Sequence, residues 1–183
     1  IVLGYPPFIK QLVDFAQDFR WKQVHFFVGG EYFPESFREY ILSKTKGKLI
    51  GGYGTSDFGI IGGIETEASI KVRQAAKKDS RLFDDLYQDA TCNPVLFQLS
   101  PSLYATAKNR ELHFTTVFPE TCMPLVNYNL KDRGGVISYT QMRSILRKHD
   151  LKIDFDLKLP FIFVEGRSTG AVKYYAFMIY PEN

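Results

Sequence analysis

The sequence predicts an α/β fold: a parallel sheet flanked by helices, followed by a small antiparallel β-sheet or distorted-barrel lobe. Three observations carry this. Up to residue 53, short β-branched and aromatic runs alternate with helical periodicity, the pattern of a helix-covered parallel sheet. Two glycine clusters, Gly29-Gly30 and Gly51-Gly52, close two of those runs. Beyond residue 90 the chain breaks into short β-rich runs between turn residues.

Taken in order, residues 1–3 read as the end of a strand stopped by Gly4-Tyr5-Pro6-Pro7, so the chain begins like the interior of a longer protein. Apolar residues at 8, 9, 12, 13, 15 and 16 predict a helix over 8–19, started by proline. Residues 24–28 form a strand. A second helix runs from about 35 to 45, with Phe37, Tyr40, Ile41 and Leu42 facing inward, and 48–53 form the next strand. Residues 65–88 read as one or two polar helices broken near Asp79-Ser80. Short strands are expected over 94–100, 102–107, 111–118 and 125–128. A turn at 131–135, a strand at 136–138, a helix over 139–149 with Met142, Ile145 and Leu146 inward, and a strand at 160–164 complete the chain. The expected organisation is an α/β subdomain over 1–90, a β-rich one over 91–166, and a connecting segment over 167–183.

Composition narrows the classes of function. The 183 residues suffice for a real core, and 45% hydrophobic with 23% charged residues is ordinary for a globular protein. The aromatic share of 15% is high, which suggests thick apolar walls or a pocket. A net charge of +3 is too small and too dispersed to argue for nucleic acid. No apolar run approaches a membrane span. Cys92 and Cys122 are the only cysteines, which excludes a disulfide scaffold and suits a reducing, cytoplasmic location.

The chemistry concentrates in Gly51-Gly52-Tyr53-Gly54-Thr55-Ser56-Asp57-Phe58-Gly59. Glycines let backbone approach a ligand closely, and adjacent hydroxyls can bond phosphate oxygens. A carboxylate just beyond could hold Mg²⁺, which shares its oxygen ligands with substrate phosphates, and Tyr53 offers a flat face for a base. In a parallel sheet, ligands sit beyond the carboxyl ends of the strands, so both glycine clusters could face one crevice. The sequence contains no P-loop, Rossmann fingerprint, HExxH or GxSxG motif. His25, His113 and His149 read as structural, and the basic run from Lys71 to Lys78 as a solvated helix face.

Separated pieces in a particular order carry more than any one of them. The sequence resembles the latter part of the large domain of adenylate-forming acyl/aryl-CoA ligases, closest to the phenylacetate-CoA ligase family. Leu3-Gly4-Tyr5-Pro6-Pro7-Phe8 is similar to that group's Gly-Tyr-Pro-Ser helix start, and Val28-Gly29-Gly30-Glu31 to its Gly-Gly-Glu turn beside the adenine. Tyr53-Gly54-Thr55-Ser56-Asp57 resembles its Tyr-Gly-Thr-Thr/Ser-Glu motif, and Tyr128 to Asp132 its Tyr-Arg-Thr-Gly-Asp motif. Gly166-Arg167 is similar to the junction before the mobile C-terminal domain.

The resemblance implies ATP or AMP, Mg²⁺ and coenzyme A as cofactors, and a small-molecule carboxylic acid as substrate, with a homodimer left open. Gly29, Gly30, Glu31, Gly52, Tyr53 and Gly54 would line the adenine, and Thr55 would bond the α-phosphate. Asp57 would hold Mg²⁺, while Asp132, reinforced by Arg167, would hold the ribose hydroxyls. Such an enzyme joins a carboxylate to the α-phosphate, so donors and cations must neutralise two meeting anions.

Departures carry information too. Asp57 stands where the family has Glu, Asn129 where it has Arg, and Lys131 where it has Gly, while Thr169 and Tyr175-Ala176 alter the hinge. The family's Ser/Thr/Gly-rich phosphate loop and its lysine-bearing C-terminal domain are not in this sequence. The chain is therefore expected to be part of an adenylating ligase, itself inactive. The alternative is a catalytically degenerate homologue that binds a nucleotide or a protein.

Overall fold

A computed structural model describes residues 1–16, 21, 23–58, 60–117, 124–168, 172–174 and 177–179. Cys122, Thr169 and Tyr175-Ala176 lie outside the described residues, as does the expected helical stretch 17–19.

The first half follows the alternation read from the sequence. β1 (Val2–Gly4), α1 (Pro6–Phe15), β2 (Phe26–Gly29), α2 (Glu35–Lys44) and β3 (Leu49–Thr55) form a parallel β1-β2-β3 array. Proline at the first turn of α1 starts it without wasting an amide. Its buried side is Pro6, Ile9 and Val13, whereas Phe8, Leu12 and Phe15 face outward.

From β3 onward the pairing becomes antiparallel. A 3₁₀ turn (Ser56–Phe58) leads into β4 (Ile60–Ile64), then α3 (Glu67–Ala76) and α4 (Ser80–Tyr87). There follow β5 (Val95–Leu99), β6 (Leu103–Lys108), β7 (Glu111–Thr116), β8 (Tyr128–Ile137), α5 (Tyr139–Lys148) and β9 (Phe161–Arg167). All nine strands belong to one mixed sheet, in the order β1-β2-β3-β4-β5-β9-β8-β7-β6. Backbone of 172–174 and 177–179 adds a separate two-stranded ribbon, β10-β11.

Three expectations are corrected. There is no separate barrel lobe, because β5, the first strand beyond residue 90, hydrogen-bonds to β4 and carries the sheet onward. β4 itself was unread, since Ile60-Ile61-Gly62-Gly63-Ile64 has neither alternation nor β-branched bulk at its glycines. Residues 131–135 are not a turn but the middle of β8, bent by an irregularity instead of reversed.

The sheet coils strongly. β3 and β8 lie four strand steps apart, roughly 19 Å in a flat sheet. Yet the Tyr53 hydroxyl bonds the Asp132 carboxylate at 2.7 Å. Only a sheet curled over its own face can do this. The curled face encloses Phe97, Leu103, Leu112 and Phe114 with Phe26, Val28 and Leu49 in one core cluster. The opposite cluster holds Val72, Leu82, Leu86 and Tyr87 of α3 and α4 with Met142 and Leu146 of α5, over Leu96 and Phe161.

Three of the five helices have side-chain N-caps. Thr66 and Ser138 form capping boxes with Ser69 and Gln141, and Asp79 accepts from the amides of Arg81 and Leu82.

α2 packs its expected residues, Phe37, Tyr40, Ile41 and Leu42, against the core and buries a charged side as well. Its buried residues are Glu35, Arg38 and Ile41, because two charges on one side pair with partners elsewhere. Arg38 bridges Glu35 (3.1 Å) and Glu65 (2.6 Å), and Arg73 meets Glu35 at 2.8 Å. Glu65 accepts from the Gly51 amide at 2.7 Å, and the Arg38 guanidinium also reaches the Leu49 carbonyl. This quartet of two arginines and two glutamates roots β3 against α2 and α3. Arg73 is fully buried, so the run from Lys71 to Lys78 is not uniformly a solvated face.

Candidate functional site

The carboxyl ends of the parallel strands β2 and β3 form a glycine ledge with two aromatic rings packed over it. Gly29 pairs with Gly52 across β2 and β3. A Cβ at Gly29 would lie 2.9 Å from the Gly52 carbonyl oxygen, and one at Gly52 would lie 2.2 Å from the Phe27 ring. Gly30 has a φ of +82°, and a Cβ there would meet the Tyr5 ring at 2.2 Å. Glycine is thus required here by two aromatic rings that lean over the backbone. Glu31, half-buried, follows directly.

The next layer is the end of β3. A register shift between Tyr53 and Gly54 bends the strand, leaving Gly54 exposed and carrying Thr55 into the 3₁₀ turn. Asp57 is exposed, and its Oδ2 accepts from the Thr55 hydroxyl at 3.0 Å. These oxygens face solvent, so they suit a cation that keeps most of its water or shares ligands with a phosphate. Among the described residues no three His, Cys, Asp or Glu side chains cluster as a complete metal cage.

Tyr53 links this end to the far side of the curled sheet. Its ring is half-buried and packs against Phe97 and Phe114, with centroids 5.8 Å away in each case. Its hydroxyl donates to Asp132 Oδ2 at 2.7 Å, while Arg167 Nε stands 3.2 Å from Asp132 Oδ1. Arg167 Nη1 also donates to the Leu130 carbonyl at 2.5 Å. Burial raises the Asp132 carboxyl above its ordinary value, opposed by the Tyr53 hydrogen bond and the Arg167 charge. Burial first, then the Asp132 charge and hydrogen bond, push the Tyr53 phenol far upward, so it remains a donor. Among the described residues each Asp132 oxygen has one side-chain partner, and a carboxylate accepts about four hydrogen bonds.

Tyr53, Asp132 and Arg167, 79 and 35 positions apart along the chain, therefore meet, beside the ledge formed by Gly52 and its neighbours. One residue of this region, Glu111, had no signal in the sequence, whereas Asn129 and Lys131 stood out only as departures from the family motif. Glu111, Asn129 and Lys131 gather beside Asp132, with Asn129 Nδ2 and Lys131 Nζ on Glu111 Oε2 at 2.6 and 3.2 Å. The histidines lie in structural contacts: His25 Nδ1 accepts from the Lys48 amide, and His149 Nε2 faces Asp85.

No family profile matches the chain, and no curated protein matches it. Solved structures do. One is an open conformation of 2-hydroxyisobutyryl-CoA ligase in complex with 2-HIB-AMP and CoA, at 12% identity and a TM-score of 0.55, covering 98% of this chain and 38% of that one. Another is the same ligase in the postadenylation state with R3-HIB-AMP, at 12% identity and a TM-score of 0.56, covering 98% and 35%. The chain is structurally similar to adenylate-forming acyl-CoA ligases. It spans about a third of their length, and at this identity the likeness concerns the fold. No helix among the described residues is long and apolar enough to cross a membrane.

Proposed function

We propose that this chain is the nucleotide-holding part of an ATP-dependent acyl- or aryl-adenylate-forming ligase, forming CoA thioesters in the manner of the phenylacetate-CoA ligase group. The observation that carries this reading is the Tyr53–Asp132–Arg167 cluster beside the Gly29-Gly30 and Gly52 ledge. These are the positions that the sequence resemblance nominated, and they come from remote parts of the chain. The solved ligase similar in fold holds an acyl adenylate and CoA, which supports the same ligand class.

In this reading the adenine lies beside the ring-covered glycine ledge, and Asp132 accepts from the ribose hydroxyls through its remaining lone pairs. Burial raises the Asp132 carboxyl, Tyr53 and Arg167 oppose this by favouring its ionised form, and Tyr53 holds its orientation. Thr55 donates to the α-phosphate. Asp57 would share Mg²⁺ with the phosphates, and the metal would supply charge neutralisation when bound. Acyl-adenylate formation and thiolation belong to the longer protein, with residues 167–183 leading towards its next domain. The alternative, a catalytically degenerate homologue acting as a nucleotide-binding or protein-interaction module, is favoured by Asn129 and Lys131 being held to Glu111.

The test is calorimetric titration of the chain with AMP and a non-hydrolysable acyl-adenylate analogue plus Mg²⁺, beside Asp132→Ala. Binding by the wild type that weakens about tenfold or more in the variant, as for a lost charged hydrogen-bond partner, supports the reading. Equal affinities for both proteins would remove Asp132 from the site.

A further inference from the structure

Asp132 sits on an irregular piece of strand. Between the pairs Glu111↔Arg133 and His113↔Asn129, β7 contributes one residue, Leu112, and β8 three, namely Leu130, Lys131 and Asp132. Such a bulge re-aims side chains and must be held in place. Its apex, Lys131, has a φ of 61°, a left-handed conformation that a lysine adopts only when its surroundings enforce it.

The enforcement converges on Glu111. Asn129 Oδ1 accepts from the Lys131 amide at 2.7 Å, so the Asn129 side chain closes the tight turn. Asn129 Nδ2 then donates to Glu111 Oε2 at 2.6 Å, and Lys131 Nζ donates to the same oxygen at 3.2 Å. The Ser168 amide donates to the Lys131 carbonyl at 2.7 Å, and the Ser168 side chain helps hold the Glu111 carboxyl below its ordinary value. One carboxylate thereby ties β7, the bulge of β8 and the end of β9, where Arg167 grips the Leu130 carbonyl and Asp132.

We propose that Glu111 is a positioning residue for ribose recognition: it locks the Leu130–Asp132 bulge so that Asp132 is presented to a nucleotide sugar between Tyr53 and Arg167. The inference rests on the nucleotide-holding reading above. Glu111 acts through Asn129, Lys131 and Ser168 and does not touch the ligand. Removing its carboxylate releases Lys131 from the left-handed conformation and lets Asp132 swing away from the curled face.

Titrate AMP and 2′,3′-dideoxy-AMP into wild type, Glu111→Ala and Glu111→Gln. The wild type should prefer AMP, and Glu111→Ala should lose about tenfold in AMP affinity with dideoxy-AMP affinity unchanged. Glu111→Gln, which keeps one acceptor oxygen for Asn129 and Lys131, should restore part of the preference. A Glu111→Ala protein that retains the preference, or that weakens for both ligands alike, overturns the proposal. A wild type without the preference overturns the nucleotide reading and this inference with it. A second measurement needs no nucleotide. The Asp132 carboxyl carbon, followed by NMR against pH, should titrate above an ordinary aspartate in wild type and return towards it in Glu111→Ala. An unchanged Asp132 titration refutes the role of Glu111 whatever AMP does.

Discussion

The Tyr53 hydroxyl donates to Asp132 Oδ2 at 2.7 Å, joining two residues 79 positions apart on strands that are four steps distant in the sheet. The bond closes the curl of the sheet and defines the depth of the candidate site beneath it. Its donor is a phenol held protonated by burial, and its acceptor a carboxylate that Arg167 also holds.

Tyr53→Phe keeps the ring against Phe97 and Phe114 and removes only the donor. A largely buried carboxylate then lacks one partner, which costs about 1–3 kcal/mol. Urea unfolding should show this loss at neutral pH. Because the Tyr53 hydrogen bond lowers the Asp132 carboxyl, the variant should also titrate Asp132 at a higher pH than wild type does.

Gly30→Ala meets two obstacles, a φ of +82° and the Tyr5 ring 2.2 Å from the new methyl. Overpacking of this kind costs about 1–3 kcal/mol. Gly30→Ala with Tyr5→Ala should be less destabilising than the sum of the two single changes, since the clash is then gone and only the backbone strain remains. Thermal unfolding of the four proteins measures the coupling.

Arg73→Met leaves Glu35 with one fewer cation in a site closed to water. Breaking a buried pair by removing one partner costs about 3–5 kcal/mol. Burial already raises the Glu65 carboxyl, against Arg38, Arg73 and the Gly51 amide. The destabilisation of Arg73→Met, read by denaturation, should therefore shrink at acid pH, where a carboxyl of the quartet can take up a proton.

Glu111 is held down to about 2, chiefly by hydrogen bonds from Ser168, Asn129 and Lys131. A depressed carboxylate adds stability above its ordinary value near 4.5 and loses it as pH falls towards 2. Glu111→Gln should thus flatten the acid side of the stability profile between those limits. Asp132, raised by burial, works in the opposite sense, with stability falling as pH rises from the ordinary aspartate value through its folded one. Urea midpoints from pH 2 to 6 for the two proteins compare the slopes.

Asp57→Ala removes an exposed carboxylate whose one side-chain partner among the described residues is the Thr55 hydroxyl. Unfolding should change by less than about 0.5 kcal/mol. Nucleotide affinity measured with and without Mg²⁺ should lose its metal dependence, leaving the metal-free affinity as in wild type.

The parallel half of the fold was readable because β1, β2 and β3 are apolar runs ended by glycine or proline and spaced by helical periodicity. The strand-end positions of Gly29, Gly30, Gly52 and Tyr53 were readable for the same reason. What failed had physical causes. β4 contains Gly62 and Gly63, which take Phe58 and Phe97 respectively against their bare backbones and so carry no alternation of their own. Gly134-Gly135 reads as a turn, but both glycines are there because the Phe163 backbone and ring leave no room for a Cβ. Arg73 reads as part of a solvated face, and nothing local marks Glu35 or Arg38 as buried, because pairing, the condition for burying them, is invisible to periodicity.

By itself, then, the sequence determined which segments are strands and helices from β1 to β3, and which motifs stand at strand ends. Both follow from local periodicity and from the freedom of glycine. Only the tertiary structure decided that the second half extends the same sheet, and that this sheet curls until Asp132 reaches Tyr53. It also decided that Glu111 gathers the bulge beside Asp132. These are outcomes of strand pairing, twist and charge neutralisation between residues remote in the chain, which no local pattern encodes.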